Sequence, residues 1–139
     1  MTGLQVLSII IPAYNEEKTI LNILERVNAQ RVFGLELEII VVDDGSTDGT
    51  PSLLENSPDL FTRLIRLPKN SGKGAAVRAG LLAMRGDFVL FQDADLEYDP
   101  AEYDKMCEPV LHHGADIVIG SRFIAPRMTT VSYTHLTLP

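Results

Sequence analysis

Short runs of consecutive apolar residues recur along the chain and constrain its fold more than any other feature. The clearest run is Ile39-Ile40-Val41-Val42, in which all four neighbours are aliphatic. Successive side chains of a strand point to opposite faces, so such a run indicates a strand that is buried on both faces. Similar runs predict strands over residues 6–11, 37–42, 61–67, 88–91 and 117–119. The sequence therefore favours a parallel sheet covered by helices.

Amphipathic segments fill the gaps between these strands. The first, over about 16–30, places Ile20, Leu24 and Val27 on one face. Thr50 followed by Pro51 predicts the start of a second helix, with the threonine as its N-cap. Two further helices are predicted over about 74–84 and 100–114. Alternating strands and helices are typical of an open α/β sheet.

Charge and composition exclude several classes of protein. A net charge of −7 argues against non-specific binding to nucleic acid, which needs a basic surface. The single cysteine, Cys107, excludes an internal disulfide and a zinc cluster. The first apolar run is too short to span a bilayer and follows no basic segment, so we expect a cytoplasmic protein.

The last twelve residues, 128–139, differ from the rest. They contain no lysine, arginine or acidic residue, no helical period and no turn signal. The chain also ends soon after the last predicted strand, where an α/β domain would continue. We expect residues 1–127 to form one domain that is incomplete at its C-terminus, and residues 128–139 to be a non-native or disordered tail.

Polar clusters follow the first four predicted strands, at residues 12–17, 43–50, 69–74 and 93–95. The carboxyl ends of parallel strands share one edge of the sheet, where ligands of open α/β proteins bind. In the last cluster, Asp93 and Asp95 would lie on the same side of an extended segment. Two such carboxylates suit Mg²⁺ or Mn²⁺, which prefer oxygen ligands and add substrate phosphates to their shell. The alternative is a turn that caps the next helix.

The remaining clusters suit a nucleotide. Asp43 or Asp44 would accept hydrogen bonds from a nucleobase or ribose, or would serve only in a turn and helix cap. Tyr14 would stack on a base, and Glu16 would contact the nucleotide or cap the first helix. Arg122 would clamp a phosphate or form a surface ion pair.

The loop at 70–74 is rich in glycine, and its backbone N–H groups together with Lys73 suit an anion. It is not a Walker A loop, because Leu67 occupies the first glycine position and Gly74 replaces the Ser or Thr. No G-x-G-x-x-G follows the first strand, which argues against a dinucleotide-binding dehydrogenase.

Taken in order, the segments IPAYNEE, VVDDGSTDGT, NSGKGAAVRAG, GDFVLFQDADLEYDP and IGSRF resemble the family 2 glycosyltransferases. The resemblance covers about residues 8–123 and is strongest to the dolichyl- or polyprenyl-phosphate mannosyl- and glucosyltransferase branch. It implies a Rossmann-like GT-A fold that binds a nucleotide sugar such as GDP-mannose or UDP-glucose. Residues 1–127 would then be the N-terminal, nucleotide-binding part of that domain.

The resemblance also implies roles for residues by position. Asp93 and Asp95 would be the catalytic DXD pair that holds Mg²⁺ or Mn²⁺, and Arg122 would face the acceptor phosphate. The acceptor would be a polyprenyl or dolichyl phosphate, which implies a peripheral position at the inner membrane face. The implied nucleotide-sugar-binding residues are Pro12, Ala13, Tyr14, Glu16, Asp43, Asp44, Lys73, Gln92, Asp93 and Ala94.

The expected reaction is metal-assisted inverting transfer of a hexose, and two alternatives stay open. A family 2 transferase with a polysaccharide or other hydroxyl acceptor would need a carboxylate base. A nucleotidyltransferase or a non-catalytic nucleotide-binding module would also use an α/β sheet. A nucleotidyltransferase normally has a glycine-rich basic loop directly after the first strand, which residues 12–17 are not.

Overall fold

The computed structural model describes residues 5–32 and 34–94. Within these ranges strands and helices alternate, as the sequence predicts. A single 3₁₀ turn, Pro58–Leu60, precedes the third strand. The elements in chain order are β1 (Val6–Ala13), α1 (Ile20–Asn28), β2 (Glu36–Asp43), α2 (Thr50–Glu55), β3 (Arg63–Arg66), α3 (Lys73–Ala83) and β4 (Phe88–Phe91).

The four strands form one sheet in the order β3-β2-β1-β4, and every neighbouring pair is parallel. The chain moves outward from β1 through β2 to β3, and then returns to the other side of β1 with β4. The strand order therefore reverses between β1 and β4. Ligands of open α/β sheets bind outside the carboxyl ends of the strands at such a point. The predicted α/β class with a parallel sheet is confirmed.

Both faces of the sheet are covered by helices. On one face Ile9 and Ile11 of β1 belong to a core that includes Leu24 of α1 and Leu54 of α2. On the other face Ile10 shares a smaller core with residues of α3. The central strands are thus buried on both sides, which explains why their sequences are continuously apolar instead of alternating.

The start of two helices differs from the prediction. Helix α1 begins at Ile20, and residues 17–19 form a turn before it, in which Glu16 O accepts the N–H groups of Thr19 and Ile20 at 3.1 and 2.9 Å. Thr50 is not the N-cap of α2 but its first residue, and Gly49 holds the cap position. The Thr50 hydroxyl oxygen instead accepts the Glu16 N–H at 2.9 Å. A contact between two loops therefore uses the side chain that would have capped the helix.

Strand β3 is shorter than the predicted 61–67, whereas β4 has the predicted bounds. The predicted helix over 100–114, the strand over 117–119 and the tail at 128–139 lie outside the described residues, as does Cys107. No helix in the described part of the chain is both long and apolar enough to cross a membrane.

Candidate functional site

A cavity of about 430 Å³ opens at the carboxyl edge of the sheet, where β1 and β4 lie side by side. The segments that follow β1, β2 and β4 meet there with the first turn of α3. It lies at the reversal of strand order, the expected place for a ligand. Its walls are formed by Pro12, Ala13, Tyr14, Glu16, Asp44, Asn70, Gly72, Lys73, Ala76, Asp93 and Ala94.

The structure brings most of the predicted site residues to this cavity. Asn70, Gly72 and Ala76 also line it, and Ala76 carries no polar group by which it could have been selected from the sequence. Asp95 and Arg122 lie outside the described residues, so their placement stays a prediction. The predicted residues that line the cavity are Pro12, Ala13, Tyr14, Glu16, Asp44, Lys73, Asp93 and Ala94.

Two predicted residues lie beneath the cavity instead of lining it. Gln92 is fully buried, and its side-chain amide donates to Asp93 O at 3.0 Å, which holds the backbone next to the cavity. Asp43 is also buried; its Oδ1 accepts the Ser46 N–H at 3.0 Å, and its Oδ2 lies 3.8 Å from Arg66 Nε. Of the two adjacent aspartates, only Asp44 reaches the cavity.

The carboxylate of Asp44 fixes the glycine-rich loop. Its Oδ1 accepts the Ser71 N–H at 2.7 Å, while its Oδ2 accepts the Gly72 N–H at 2.9 Å and an Asn70 amide proton at 3.1 Å. Three bonds leave room for one more donor, because a carboxylate has about four lone-pair sites. Asp44 can therefore hold the loop and still accept a hydrogen bond from a ligand.

Gly45 allows this close approach of the two loops. It has φ +73, which favours glycine, and a Cβ built there would lie 2.8 Å from Lys69 Cα. Any side chain at this position would push residues 69–72 away from Asp44.

The loop after β1 is joined to the loop after β2 by hydrogen bonds on the side away from the cavity. Asn15 Oδ1 accepts the N–H groups of Thr47 and Asp48 at 2.8 and 3.2 Å. Glu17 Oε1 accepts the Gly49 N–H at 2.6 Å. Asn15 is not among the predicted site residues, although an asparagine between Tyr14 and a helix start tolerates the left-handed backbone found there.

Asp48 completes this junction. Desolvation raises the pKa of its carboxyl, but hydrogen bonds from Thr50 and Glu17 outweigh that effect and leave the pKa below its ordinary value of 3.8. The charged form is thus the one that the folded loop prefers.

Two opposite charges meet in the wall of the cavity. Lys73, from the first turn of α3, forms an ion pair with the carboxylate of Asp93, which follows β4. The described residues contain no group of three His, Cys, Asp or Glu side chains that would hold a metal by itself. A single carboxylate at such a cavity nevertheless fits Mg²⁺ or Mn²⁺, because these ions keep few protein ligands and complete their shell with oxygens of a ligand.

Comparison with known sequences assigns the chain to a family. Residues 8–138 match the family described as Glycosyl transferase family 2. The chain is 35% identical over 130 residues to a dolichyl-phosphate beta-glucosyltransferase of Dictyostelium discoideum, covering 84% of this chain and 39% of that protein. It is 37% identical over 118 residues to a dolichol-phosphate mannosyltransferase of Pyrococcus furiosus, covering 84% and 33%.

Comparison with solved structures also finds proteins that are similar to this chain. One similar structure is the glucosyl-3-phosphoglycerate synthase of Mycobacterium tuberculosis in complex with Mn²⁺, UDP and glucosyl-3-phosphoglycerate. Its TM-score is 0.64 at 33% identity, over 78% of this chain and 40% of that one. The chain therefore spans between a third and two fifths of the length of these three proteins.

Proposed function

Because the chain belongs to glycosyl transferase family 2, we propose that it is the nucleotide-sugar-binding part of an enzyme that transfers a hexose from a nucleoside diphosphate to an acceptor. The observation that carries the proposal is the cavity at the strand-order reversal. It combines an exposed aromatic ring, Tyr14, with the charged groups of Lys73 and Asp93. The ring suits a nucleobase, and the charges suit a diphosphate.

Tyr14 and Asp44 are the residues that we assign to the nucleoside. The Tyr14 side chain is 43% exposed, so a base can stack on it without any rearrangement of the core. Asp44 has one lone-pair site left after its three bonds to the loop at 70–72. That site would accept an N–H from a uracil or guanine base or a ribose hydroxyl.

Lys73 and Asp93 are the residues that we assign to the diphosphate. Lys73 is at the start of α3, so its ammonium group and the helix N–H groups all favour an anion. Asp93, with Asp95, would hold Mg²⁺ or Mn²⁺, in keeping with the Mn²⁺ in the structure of the M. tuberculosis relative. When bound, such an ion neutralises charge on the diphosphate leaving group.

The transfer forms a bond between an acceptor oxygen and the anomeric carbon, and breaks the bond from that carbon to the diphosphate. The leaving electron pair stays on the diphosphate, close to Lys73. We propose a polyprenyl or dolichyl phosphate as the acceptor, because both curated relatives are named for such a lipid. A phosphate monoester has a second pKa of about 6 and needs no strong base at pH 7.

This acceptor implies work at a membrane surface, with Arg122 facing the acceptor phosphate. The competing acceptor is a hydroxyl group of a saccharide or a small molecule. The M. tuberculosis relative, a glucosyl-3-phosphoglycerate synthase, gives a reason to test it. A hydroxyl acceptor needs a carboxylate base near the anomeric carbon, and Asp93 is already assigned to the metal and the diphosphate.

Nucleotide binding is the direct test. We would titrate the chain with UDP and with GDP by calorimetry, each with and without Mn²⁺, and repeat this with Asp93→Asn. We expect one of the two nucleotides to bind in the presence of Mn²⁺, and Asp93→Asn to remove the Mn²⁺ dependence. Asp87→Asn is a matched control, because Asp87 accepts the Val6 N–H at the opposite edge of the sheet. Failure of the wild-type chain to bind either nucleotide would refute the proposal.

Acceptor choice needs a second experiment. The protein would be incubated with radiolabelled UDP-glucose or GDP-mannose and with one of two acceptors, polyprenyl phosphate in detergent or a glucan oligosaccharide. Radiolabel in the lipid phase would support polyprenyl phosphate as the acceptor. Label only in the oligosaccharide supports the hydroxyl-acceptor alternative, and pyrophosphate exchange with a nucleoside triphosphate would support a nucleotidyltransferase.

A further inference from the structure

Side chains of the loop after β1 alternate between two surroundings. Tyr14 and Glu16 line the cavity. The two residues that follow them, Asn15 and Glu17, bind the loop after β2 instead. Side chains that line the cavity and side chains that bind the neighbouring loop thus alternate along one short segment.

Asn15 is the centre of the attachment. Its backbone N–H donates to Ser46 Oγ at 2.9 Å, and its Oδ1 accepts from two consecutive backbone N–H groups, those of Thr47 and Asp48. Its φ is +53, and it is the one residue other than glycine with positive φ in the described ranges. The backbone bends at residues 14 and 15, so the conformation of Asn15 helps to set the directions of residues 14 and 16.

We propose that Asn15 is a positioning residue for the nucleoside: it does not line the cavity, but it fixes the backbone from which Tyr14 and Glu16 reach it. This inference rests on the proposed function. Asparagine suits the role because it tolerates left-handed backbone and carries a short side-chain acceptor. Alanine would lose the acceptor and strain the backbone. Glycine would keep the backbone conformation and lose only the acceptor, while aspartate would keep the acceptor oxygen.

The Glu17 contact alone does not replace Asn15. Glu17 fixes Gly49 at the far end of the same loop, one step beyond the two N–H groups that Asn15 holds. Without Asn15 Oδ1, the Thr47 and Asp48 N–H groups would lose their acceptor. The backbone N–H groups of residues 15–17 would still donate to side chains of the loop after β2, but no side chain of residues 14–16 would hold that loop's backbone.

The test compares Asn15→Gly and Asn15→Asp in the 139-residue chain. Calorimetry with Mn²⁺ would use two probes, inorganic pyrophosphate and whichever of UDP and GDP the wild-type chain binds. Pyrophosphate lacks the base and ribose, so it reports Lys73 and Asp93 but not Tyr14. We expect Asn15→Gly to weaken nucleotide binding about tenfold, equivalent to about 1.4 kcal/mol. Pyrophosphate binding should stay unchanged, and Asn15→Asp should stay within about threefold of wild type for both probes.

Other results would overturn the inference. A purely structural role predicts that both probes weaken together, in step with a lower Tm. Unchanged nucleotide affinity in Asn15→Gly would show that the contact has no positioning effect. Should the glycine variant not fold, Asn15→Ser, with a shorter oxygen, is expected to give the same selective loss, and an equal loss for both probes would again overturn the inference. A wild-type chain that binds pyrophosphate but no nucleotide would refute the proposed function itself.

Discussion

Gly80 of α3 packs directly against Ile10 of β1. A Cβ built on Gly80 would lie 2.6 Å from Ile10 Cγ2 and 3.1 Å from Ile10 Cδ1. Ile10 is fully buried, so its side chain has little space into which it can move. Helix α3, which carries Lys73 at its first turn, therefore lies closer to the sheet than a side chain at this position would allow.

Replacing Gly80 by alanine should destabilise the chain. Overpacking a filled core costs about 1–3 kcal/mol, whereas alanine in place of a helical glycine gains up to about 1 kcal/mol. We expect a net loss of about 1 kcal/mol in the free energy of unfolding, measured with urea. Gly74→Ala in the same helix is the control, because nothing lies within 4 Å of a Cβ built there. Equal stability of the two variants would contradict the packing interpretation.

Ser8 and Glu38 form a buried polar pair away from the cavity, and this pair gives a second prediction. Ser8 donates to Glu38 Oε1 at 2.5 Å and accepts the Gly86 N–H at 2.9 Å. Ser8→Ala would leave the Gly86 N–H without its acceptor, at a cost of about 1–3 kcal/mol, whereas Glu38 Oε1 would keep its bond from the Arg85 N–H. Urea unfolding would measure the loss, and nucleotide affinity should not change because neither Ser8 nor Glu38 lines the cavity. The exposed Ser52→Ala is the control, expected to change stability by less than about 0.5 kcal/mol. A similar small effect at Ser8 would be inconsistent with this account.

Asp48 makes the stability of the loop junction depend on pH. Its pKa in the folded chain lies below 3.8 because of the hydrogen bonds from Thr50 and Glu17. The unfolded chain therefore binds this proton first as the pH falls, and stability that is present above 3.8 is lost as the pH falls through the lowered pKa. We expect Asp48→Asn to flatten the plot of Tm against pH in that window. The effect should be small because Asp48 is only partly buried. An unchanged slope would show that the hydrogen bonds do not favour its charged form.

Local sequence pattern was sufficient to locate the four strands that the structure describes, although β3 is shorter than predicted. The runs that contain Ile10 and Ile40 are continuous because helices cover both faces, and burial of this kind can be read from the sequence without knowledge of the partners. The clustering of polar segments at one edge also follows from parallel strands alone. The topology therefore brought Tyr14, Lys73 and Asp93 together as expected.

Contacts between loops could not be predicted in the same way. Thr50 has the pattern of an N-cap, but its hydroxyl accepts a hydrogen bond from Glu16, 34 residues earlier. Asp43 and Asp44 are adjacent and chemically identical, and only their position in the folded edge decides which one reaches the cavity. Thr50 and Asp44 each form hydrogen bonds with a loop that is distant in sequence. Local periodicity does not reveal such contacts.

Asp44 supports a prediction about the loop at 70–72. In Asp44→Asn one acceptor oxygen is replaced by an NH₂ group, which would face the N–H groups of Ser71 or Gly72. We expect faster hydrogen exchange at these two amides and at least about tenfold weaker nucleotide binding, given about 1–3 kcal/mol for a buried donor left unpaired. Asp87→Asn is the control for the loss of a carboxylate acceptor away from the cavity. Unchanged exchange at residues 71 and 72 would show that Asp44 does not hold the loop.

Lys73 allows the role of charge in ligand binding to be separated from its role in stability. Its side chain is 65% exposed, and an exposed ion pair with Asp93 contributes about 0–1 kcal/mol to folding. We therefore expect Lys73→Gln to leave the free energy of unfolding nearly unchanged. Binding should respond differently, because a charge-assisted contact to phosphate oxygens is worth more than a neutral one.

The decisive measurement compares a nucleoside diphosphate with the matching nucleoside, each titrated into Lys73→Gln by calorimetry. We expect affinity for the diphosphate to fall about tenfold and affinity for the nucleoside to stay the same, because the nucleoside offers no anion to Lys73. Arg78→Gln, on an exposed turn of the same helix, removes the same charge outside the cavity and should change neither affinity. An equal loss for both ligands would show that Lys73 maintains the shape of the cavity and does not bind the diphosphate through its charge. No loss for either ligand would show that the diphosphate does not bind at the first turn of α3. Asp93 would then be the remaining residue assigned to the diphosphate.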